Sequence, residues 1–342
     1  MTQVKLNYTF KKLNSAKWDT ISGTTYFSSL SWHQVVLSYY RDTFLTQKIN
    51  RLIYFEASFE QEQNVFGFFY VTKSKKGNII TFAHLLGPSD YYDVLHTLTV
   101  TSEQLRYMLQ QIEKDYKAIA SKFIHIKASS LIYQAIEGLP GVELSSLDCV
   151  AIKLPDTYEI YFQNLSKSVR QNIRTAYNRA SKNKVSFQLE VFTKEDRDQI
   201  NWEHLKELYQ KRNHLRKQKM YWKSALYYQL DYLFGKEKDL FDYEATKETD
   251  FTLAVLKMNE EIATYFFGFQ TNNNLEINRV VINDYFKFYS PGLILFNEFI
   301  QQNIHHLDVI DLTVGDEKYK FDLGGEKHLI FSGKIKLNEA VS

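Results

Sequence analysis

Apolar residues alternate with polar ones in two separate stretches of the chain, and each stretch predicts a group of strands. The first covers residues 51–56, 65–71 and 79–86; the polar stretches 60–64 and 73–78 between them read as hairpin connections. A 3.6-residue pattern then runs over residues 102–120, where Leu105, Met108, Leu109 and Ile112 share one stripe of a predicted helix. A strand at 123–126, a short helix near 131–136 and a strand around 150–154 follow. The second stretch repeats the order, with strands at 251–256, 262–269 and 275–282. Its turns are Asn259-Glu260 and residues 271–274, where Asn tolerates the positive φ of a tight turn. A helix opens at Ser290-Pro291-Gly292 and runs through Asn303, and strands are predicted at 309–313 and 329–336. Three meandering strands, a helix and a further strand thus occur twice, which predicts a layered α+β protein of two tandem units with mixed sheets. The expected boundary separates residues 1–155 from 156–342, the latter carrying a helical basic segment at 157–240.

Charge changes this picture more than composition does. The 342 residues hold 42 Lys and Arg against 40 Asp and Glu, a net of +2. Residues 166–223 alone hold 15 basic and six acidic side chains, a net of +9, and leave about −7 on the remainder. Hydrophobic content of 44% is enough for two sizeable cores. No two of the 13 glycines stand two, four or five residues apart, which excludes G-x-G-x-x-G, G-x-S-x-G and G-x-x-x-x-G-K loops. The nine histidines form no zinc spacing, so no metal is expected. The single Cys149 cannot form an intrachain disulfide. Residues 1–30 lack an apolar targeting core, being broken by Lys11, Lys12 and Lys17, and the uncharged stretch 20–40 is rich in Ser and Thr. A cytoplasmic protein without a transmembrane segment is expected.

Four segments carry candidate chemistry. Ser166 is a plausible N-cap for a helix to Lys182, with Val169, Ile173, Ala176 and Ala180 on its apolar stripe and Arg170, Arg174 and Tyr177 along one border. Two guanidiniums one turn apart suit a phosphate clamp, or equally a solvated basic face paired with the acidic remainder. Ser290-Pro291-Gly292 is a helix start whose N–H groups would attract an anion, or simple helix initiation. Residues 311–320, at the end of a predicted strand, offer Asp316 to accept a proton, Tyr319 to donate one and Lys320 to hold negative charge; an ordinary polar turn would look much the same. Residues 84–93, including Asp90 and Tyr92, form an aromatic and acidic strand exit in the first half. His305-His306 ends a helix and is expected to face its dipole, not a metal.

In this order, Leu86-Gly-Pro-Ser-Asp-Tyr-Tyr-Asp93, Leu165-Ser-Lys-Ser-Val-Arg-Gln-Asn-Ile-Arg-Thr-Ala176, Tyr289-Ser-Pro-Gly-Leu-Ile-Leu295 and Asp311-Leu-Thr-Val-Gly-Asp-Glu-Lys-Tyr-Lys320 resemble the FemAB-like, CelD-type acetyltransferase group of the GNAT superfamily, found among cell-surface polysaccharide biosynthesis proteins. The resemblance implies two tandem GNAT folds, in which two central strands part and acetyl-CoA or another acyl-CoA enters the gap. Its pyrophosphate would meet Ser290, Gly292 and Leu293, and its pantetheine the strand ending in Val280, Val281 and Ile282. The glycine-rich loop that single-domain members use here is absent from this chain. The resemblance further implies direct acyl transfer to an amine or hydroxyl, with Asp316, Tyr319 and Lys320 catalytic. Arg170, Arg174, Tyr177, Asp90 and Tyr92 would hold a small-molecule, nucleotide-linked or lipid-linked sugar acceptor. Two other readings stay open: a tRNA-dependent aminoacyltransferase of the peptidoglycan-bridge branch, for which tRNA would be a partner, and a non-catalytic binding protein that keeps the fold alone. No DNA partner is expected.

Overall fold

The computed structural model describes residues 4–9, 26–28, 32, 50–59, 63–83, 91–97, 99–218 and 250–336. The chain divides into two compact units, residues 1–148 with 329–342, and residues 149–328. Among the described residues no helix is long and apolar enough to cross a membrane, and no group of three His, Cys, Asp or Glu side chains could hold a metal ion.

In the first unit the alternating stretches form an antiparallel meander of β1 (Lys5–Thr9), β2 (Asn50–Ser58), β3 (Asn64–Ser74) and β4 (Gly77–Phe82), with the short β5 (Leu95–His96) on β3. Helix α1 (Ser102–Asp115) buries the predicted stripe of Leu105, Met108, Leu109 and Ile112. It carries the chain over to β6 (Ala118–Lys127), which runs parallel to β4. This helix ends sooner than its periodicity predicts. The Tyr116 N–H bonds back to Ile112 O, Lys117 takes a φ of 48°, and residues 118–120 already belong to a strand. Helix α2 (Leu131–Ile136) and β7 (Val142–Lys153) follow. Residues 329–336, expected with the second half, pair with β6 instead, Ile330 opposite Lys127 and Lys336 opposite Ala120. The division at 148/149 likewise falls before the expected 155/156.

The second unit begins with the last residues of β7 (149–153), followed by α3 (Tyr158–Asn164) and α4 (Lys167–Lys182), whose first turn is capped by the Ser166 hydroxyl accepting from Val169 N at 3.3 Å. Strand β8 (Phe187–Phe192) was not legible, because its weak alternation lies inside the basic segment. Helix α5 (Trp202–Gln218) precedes residues 219–249, so the rest of the expected helical segment lies outside the described residues. Then β9 (Thr252–Met258), β10 (Glu261–Thr271) and β11 (Asn274–Ile282) complete an antiparallel meander with β8. Helix α6 (Pro291–Asn303) crosses to β12 (Val309–Val314), parallel to β11 and antiparallel to β7; α7 (Lys318–Asp322) and β13 (Glu326–Lys336) follow. Each unit is therefore a four-strand antiparallel meander, a crossover helix and a parallel strand.

Helices α3, α4 and α6 cover one face of the second sheet, burying Ile173, Ala176, Phe266, Ile277, Ile294 and Phe299 in one core. Phe266 stacks on Phe296 at 5.4 Å and meets Phe299 edge-on at 4.8 Å. Side chains of this size each stabilise the fold by about 1.5–3 kcal/mol when fully buried. The opposite face meets α5, where the Tyr265 hydroxyl donates to Leu205 O at 3.1 Å.

Candidate functional site

The parallel pair β11/β12 begins in register and then parts. Asn274, Leu275 and Glu276 lie opposite Val309, Ile310 and Asp311, and the pairing stops there although β11 continues to Ile282. Two bulges explain the parting. In β11, Gly268 faces Ile277 and Phe267 faces Arg279, so Asn278 is the extra residue of a bulge. In β12, Leu312 and Thr313 together oppose one residue of β7. A bulge bends its strand and raises the local twist, and here both neighbours bend just beyond their last shared pair. Thr313, a β-branched residue at φ 56°, holds a conformation that costs on the order of 1–3 kcal/mol. It is retained by its N–H bond to Asp311 Oδ1 (2.8 Å) and its hydroxyl bond to Ile277 O (3.1 Å), which spans the start of the opening. Across the first bulge, a Cβ on Gly268 would stand 2.8 Å from Glu276 O, so this position needs glycine.

The opening exposes a strand edge. Asn283 N donates to Ala263 O, so the alternation of an antiparallel ladder turns Val281 toward β10 and the main-chain groups of Val280 and Ile282 away from it, to the side β12 has left. Arg212 of α5 reaches Val280 O. The bulge also sorts the side chains. Leu275, Ile277 and Val280 pack into the core, while buried Glu276 and Arg279 share the opposite face, where Arg279 lies 3.7 Å over the Tyr209 ring of α5.

The end of β11 leads straight to a helix start. Ser290 occupies the N-cap position in a left-handed conformation (φ 53°) and makes no side-chain cap hydrogen bond, contrary to the capping role its identity predicts. Pro291 has no N–H, and the Leu293 N–H donates back to Ser290 O at 3.0 Å, which leaves Gly292 as the first-turn N–H of the helix start. Gly292 sits beside the strand terminus, its ideal Cβ 3.6 Å from Ile282 Cδ1. A parted parallel pair whose C-terminal end meets an uncapped helix start can take an extended ligand along the strand edge with its anionic end on the helix.

Residues 167–321, which contain this arrangement, match the family model described as an acetyltransferase (GNAT) domain. The second unit is thus similar to a GNAT acetyltransferase domain over most of its length. Among solved structures, the chain is similar to a conserved protein of unknown function from Bacteroides thetaiotaomicron VPI-5482, at 13% identity over 95% of this chain and 97% of that one, with a TM-score of 0.55. It is also similar to FemX (12%, 97% and 98%, TM-score 0.49) and to a tandem GNAT protein from the clavulanic acid biosynthesis pathway (8%, 96% and 98%, TM-score 0.41). At such identities the likeness is one of fold. No curated protein matches the sequence.

Within the matched segment, the residues singled out from sequence fall into three groups. Val280, Val281, Ile282, Ser290, Gly292 and Leu293 come together at the end of β11 and the start of α6. Asp316 and Tyr319 follow β12 into the same end of the sheet, both exposed. Lys320 differs from its expected role. Its side chain is buried, and Nζ donates to the carbonyls of Thr313 (3.2 Å), Val314 (2.7 Å) and Gly315 (3.2 Å), with Glu317 Oε2 at 3.2 Å. An ammonium has three donors, so this one lashes the turn after β12 and has no N–H left for a phosphate.

On α4, Arg170 is partly committed: Nη1 donates to Gln163 O at 2.7 Å and to Leu165 O, closing the C-terminal end of α3. Arg174 is exposed and borders a basic cavity of about 610 Å³ together with Arg170, Lys167, Ser168 and Gln171. Tyr177 donates to Glu298 Oε1 at 2.5 Å and accepts from Asn297 Nδ2 at 2.8 Å. Burial first, then the Glu298 carboxylate, raises the Tyr177 pKa well above the usual phenol value, so the group stays a donor. Tyr92 is a correction. It is buried in the first unit with its hydroxyl on Phe68 O, which makes it a core residue that no acceptor reaches. Asp90 lies outside the described residues.

Sequence reasoning missed Glu276, Arg279 and Asp311, all buried at the point where the strands part, and His328, whose Nε2 is 3.6 Å from Asp311 Oδ1. Their only signal was a charged residue inside an otherwise apolar strand.

Proposed function

We propose that the second unit transfers an acyl group, in the simplest case acetyl, from acyl-CoA to an amine or hydroxyl of a cell-envelope or polysaccharide precursor. The observation that carries this reading is the parting of β11 from β12 beside an uncapped helix start, inside the segment that matches the GNAT model. The edge groups of Val280 and Ile282 would pair with the pantetheine amides, and a main-chain N–H there would polarise the thioester carbonyl. The helix start at Gly292, with its N–H and the positive end of the α6 dipole, would receive the pyrophosphate. The acceptor attacks the thioester carbon directly and the carbon–sulfur bond breaks. The proton of the acceptor passes to Asp316 or through water, and Tyr319 protonates the departing thiolate. Lys320 contributes by fixing the turn that presents Asp316 and Tyr319. The +9 segment, through Arg170 and Arg174, would hold a phosphate of the acceptor. Release of free thiol from acetyl-CoA with amino-sugar acceptors tests the reading, with calorimetry of coenzyme A beside it. Binding of coenzyme A together with acceptor-dependent thiol release is expected; absence of both refutes it.

A further inference from the structure

Helices α3, α4 and α6 each turn a short helical row of side chains toward one cavity. Tyr158 and Phe162 come from α3, Arg174, Tyr177 and Asn178 from α4, and Asn297, Glu298 and Gln301 from α6, around about 440 Å³. The floor is organised by a directed chain of hydrogen bonds. Tyr158 donates to Asn297 Oδ1 (2.7 Å), Asn297 Nδ2 donates to Tyr177 Oη (2.8 Å), and Tyr177 donates to Glu298 Oε1 (2.5 Å). Asn297 is only 5% exposed, so its amide is fixed from both ends and sets the orientation of both phenols. Burial raises the pKa of Tyr158 as well, so both remain neutral donors. A core seam between helices needs none of this polarity. A pocket with aromatic walls, fixed hydroxyls, amides and a carboxylate is what a polyhydroxylated ring requires.

The adjoining cavity has the opposite character. Lys167, Arg170 and Arg174 line it with no acidic side chain, and Arg174 belongs to both cavities. One guanidinium therefore stands where a ring held by Tyr158, Asn178, Glu298 and Gln301 would continue into an anionic group. A bare anion would use only the basic cavity, and a neutral sugar only the aromatic one.

We propose that this face of the second unit binds a phosphorylated sugar, the ring in the aromatic and carboxylate cavity and the phosphate on Arg174 beside Lys167 and Arg170. As an acceptor subsite it rests on the acyltransfer reading; the binding itself does not, and it is measured separately from coenzyme A.

Calorimetry on the full chain with glucosamine 1-phosphate, glucosamine and inorganic phosphate tests it. The sugar phosphate is expected to bind at least ten-fold more tightly than either fragment. Glu298→Gln keeps an acceptor for Tyr177 and is expected to weaken the sugar phosphate several-fold while leaving phosphate unchanged. Arg174→Gln weakens both sugar phosphate and phosphate. A nucleoside-diphosphate sugar and a lipid-diphosphate sugar in detergent form further arms, and the tighter of them names the source of the phosphate. Inorganic phosphate binding as tightly as the sugar phosphate, or a Glu298→Gln protein that folds normally and binds the sugar phosphate unchanged, overturns the proposal. Coenzyme A binding without sugar-phosphate binding would remove this site and leave the donor site standing. Sugar-phosphate binding without coenzyme A binding would do the reverse.

Discussion

The two units share a plan and differ at its centre. In the first, β4 and β6 stay paired from Asn78 opposite Ala118 to Phe82 opposite Phe123, the last residue of β4, and those two phenylalanine rings stack at 5.0 Å, 3° from parallel. In the second, the equivalent β11 and β12 separate after Glu276 and Asp311. The crossover helices differ in the same sense. Helix α1 starts with a complete capping box, Gln104 N donating to Thr101 Oγ1 at 3.2 Å and Thr101 N to Gln104 Oε1 at 2.9 Å. Helix α6 starts at Ser290 with no side-chain cap. The same sheet topology thus exists once closed and once open. The closed copy puts its polar groups into its own structure; the open copy leaves a strand edge and a helix start for something else. Duplication of a fold does not duplicate a site, and this comparison is the reason for assigning the proposed chemistry to the second unit.

The comparison can be broken at several points. The largest effect is expected at Lys320. Lys320→Met leaves three carbonyls unpaired around a buried side chain and should cost about 3 kcal/mol, read as a lower denaturant midpoint. Acyl transfer should fall with it. An unchanged midpoint would mean that the turn after β12 does not depend on this lash. Next comes charge at the two helix starts. Gly292→Glu places a carboxylate where the pyrophosphate is proposed and should weaken coenzyme A roughly ten-fold by calorimetry, about 1.4 kcal/mol. Ser102→Glu at the start of α1 should change nothing. Equal effects would erase the distinction between the units. Smaller still, Thr101→Ala should cost about 1 kcal/mol through loss of the capping box. Ser290→Gly, at a left-handed position, should instead stabilise by up to about 1 kcal/mol. Thermal unfolding of the two variants checks both signs.

The smallest effect concerns pH. Burial lowers the pKa of His125 in the first unit below the ordinary histidine value of about 6.5. Between the folded and unfolded values the unfolded chain binds more protons, so stability should fall as pH drops from about 6.5 through that window. His125→Gln should flatten this part of the stability profile, measured by denaturant titration from neutral to mildly acidic pH.

Much of the meander and both crossover helices were legible, because each strand shows its alternation or a buried apolar run and each helix its stripe. Strand β8 was hidden by the charge around it. The opening itself left almost no trace. Neither Asn278 nor Leu312-Thr313 is a Gly or Pro that would announce a bulge, and only Gly268 on the facing strand hints at a close approach. Once Asn278 is set aside, Glu276 and Arg279 fall on one face, whereas simple alternation places them on opposite faces. The strand end at Val280–Ile282 and the helix start at Gly292 were legible, since both can be read from pattern, whereas a part for them in holding an acyl-CoA came only from the resemblance. Lys320 and Tyr92 misled for one shared reason. A lysine and a tyrosine look reactive in sequence, and only the folded chain shows carbonyls already occupying their donors.

The extra residue at Asn278 has a practical consequence. On the β11 side the opening is stored in the length of the strand, not in the identity of a side chain. Exchanging Asn278 for another residue leaves the count between Ile277 and Arg279 intact. Deleting it returns the strand to simple alternation, keeps Arg279 on the face it shares with Glu276 and removes the bend on the β11 side, so that only the bulge at Leu312-Thr313 still draws β12 away. One codon removed, with every proposed contact residue still encoded, is therefore the smallest edit that would narrow the opening.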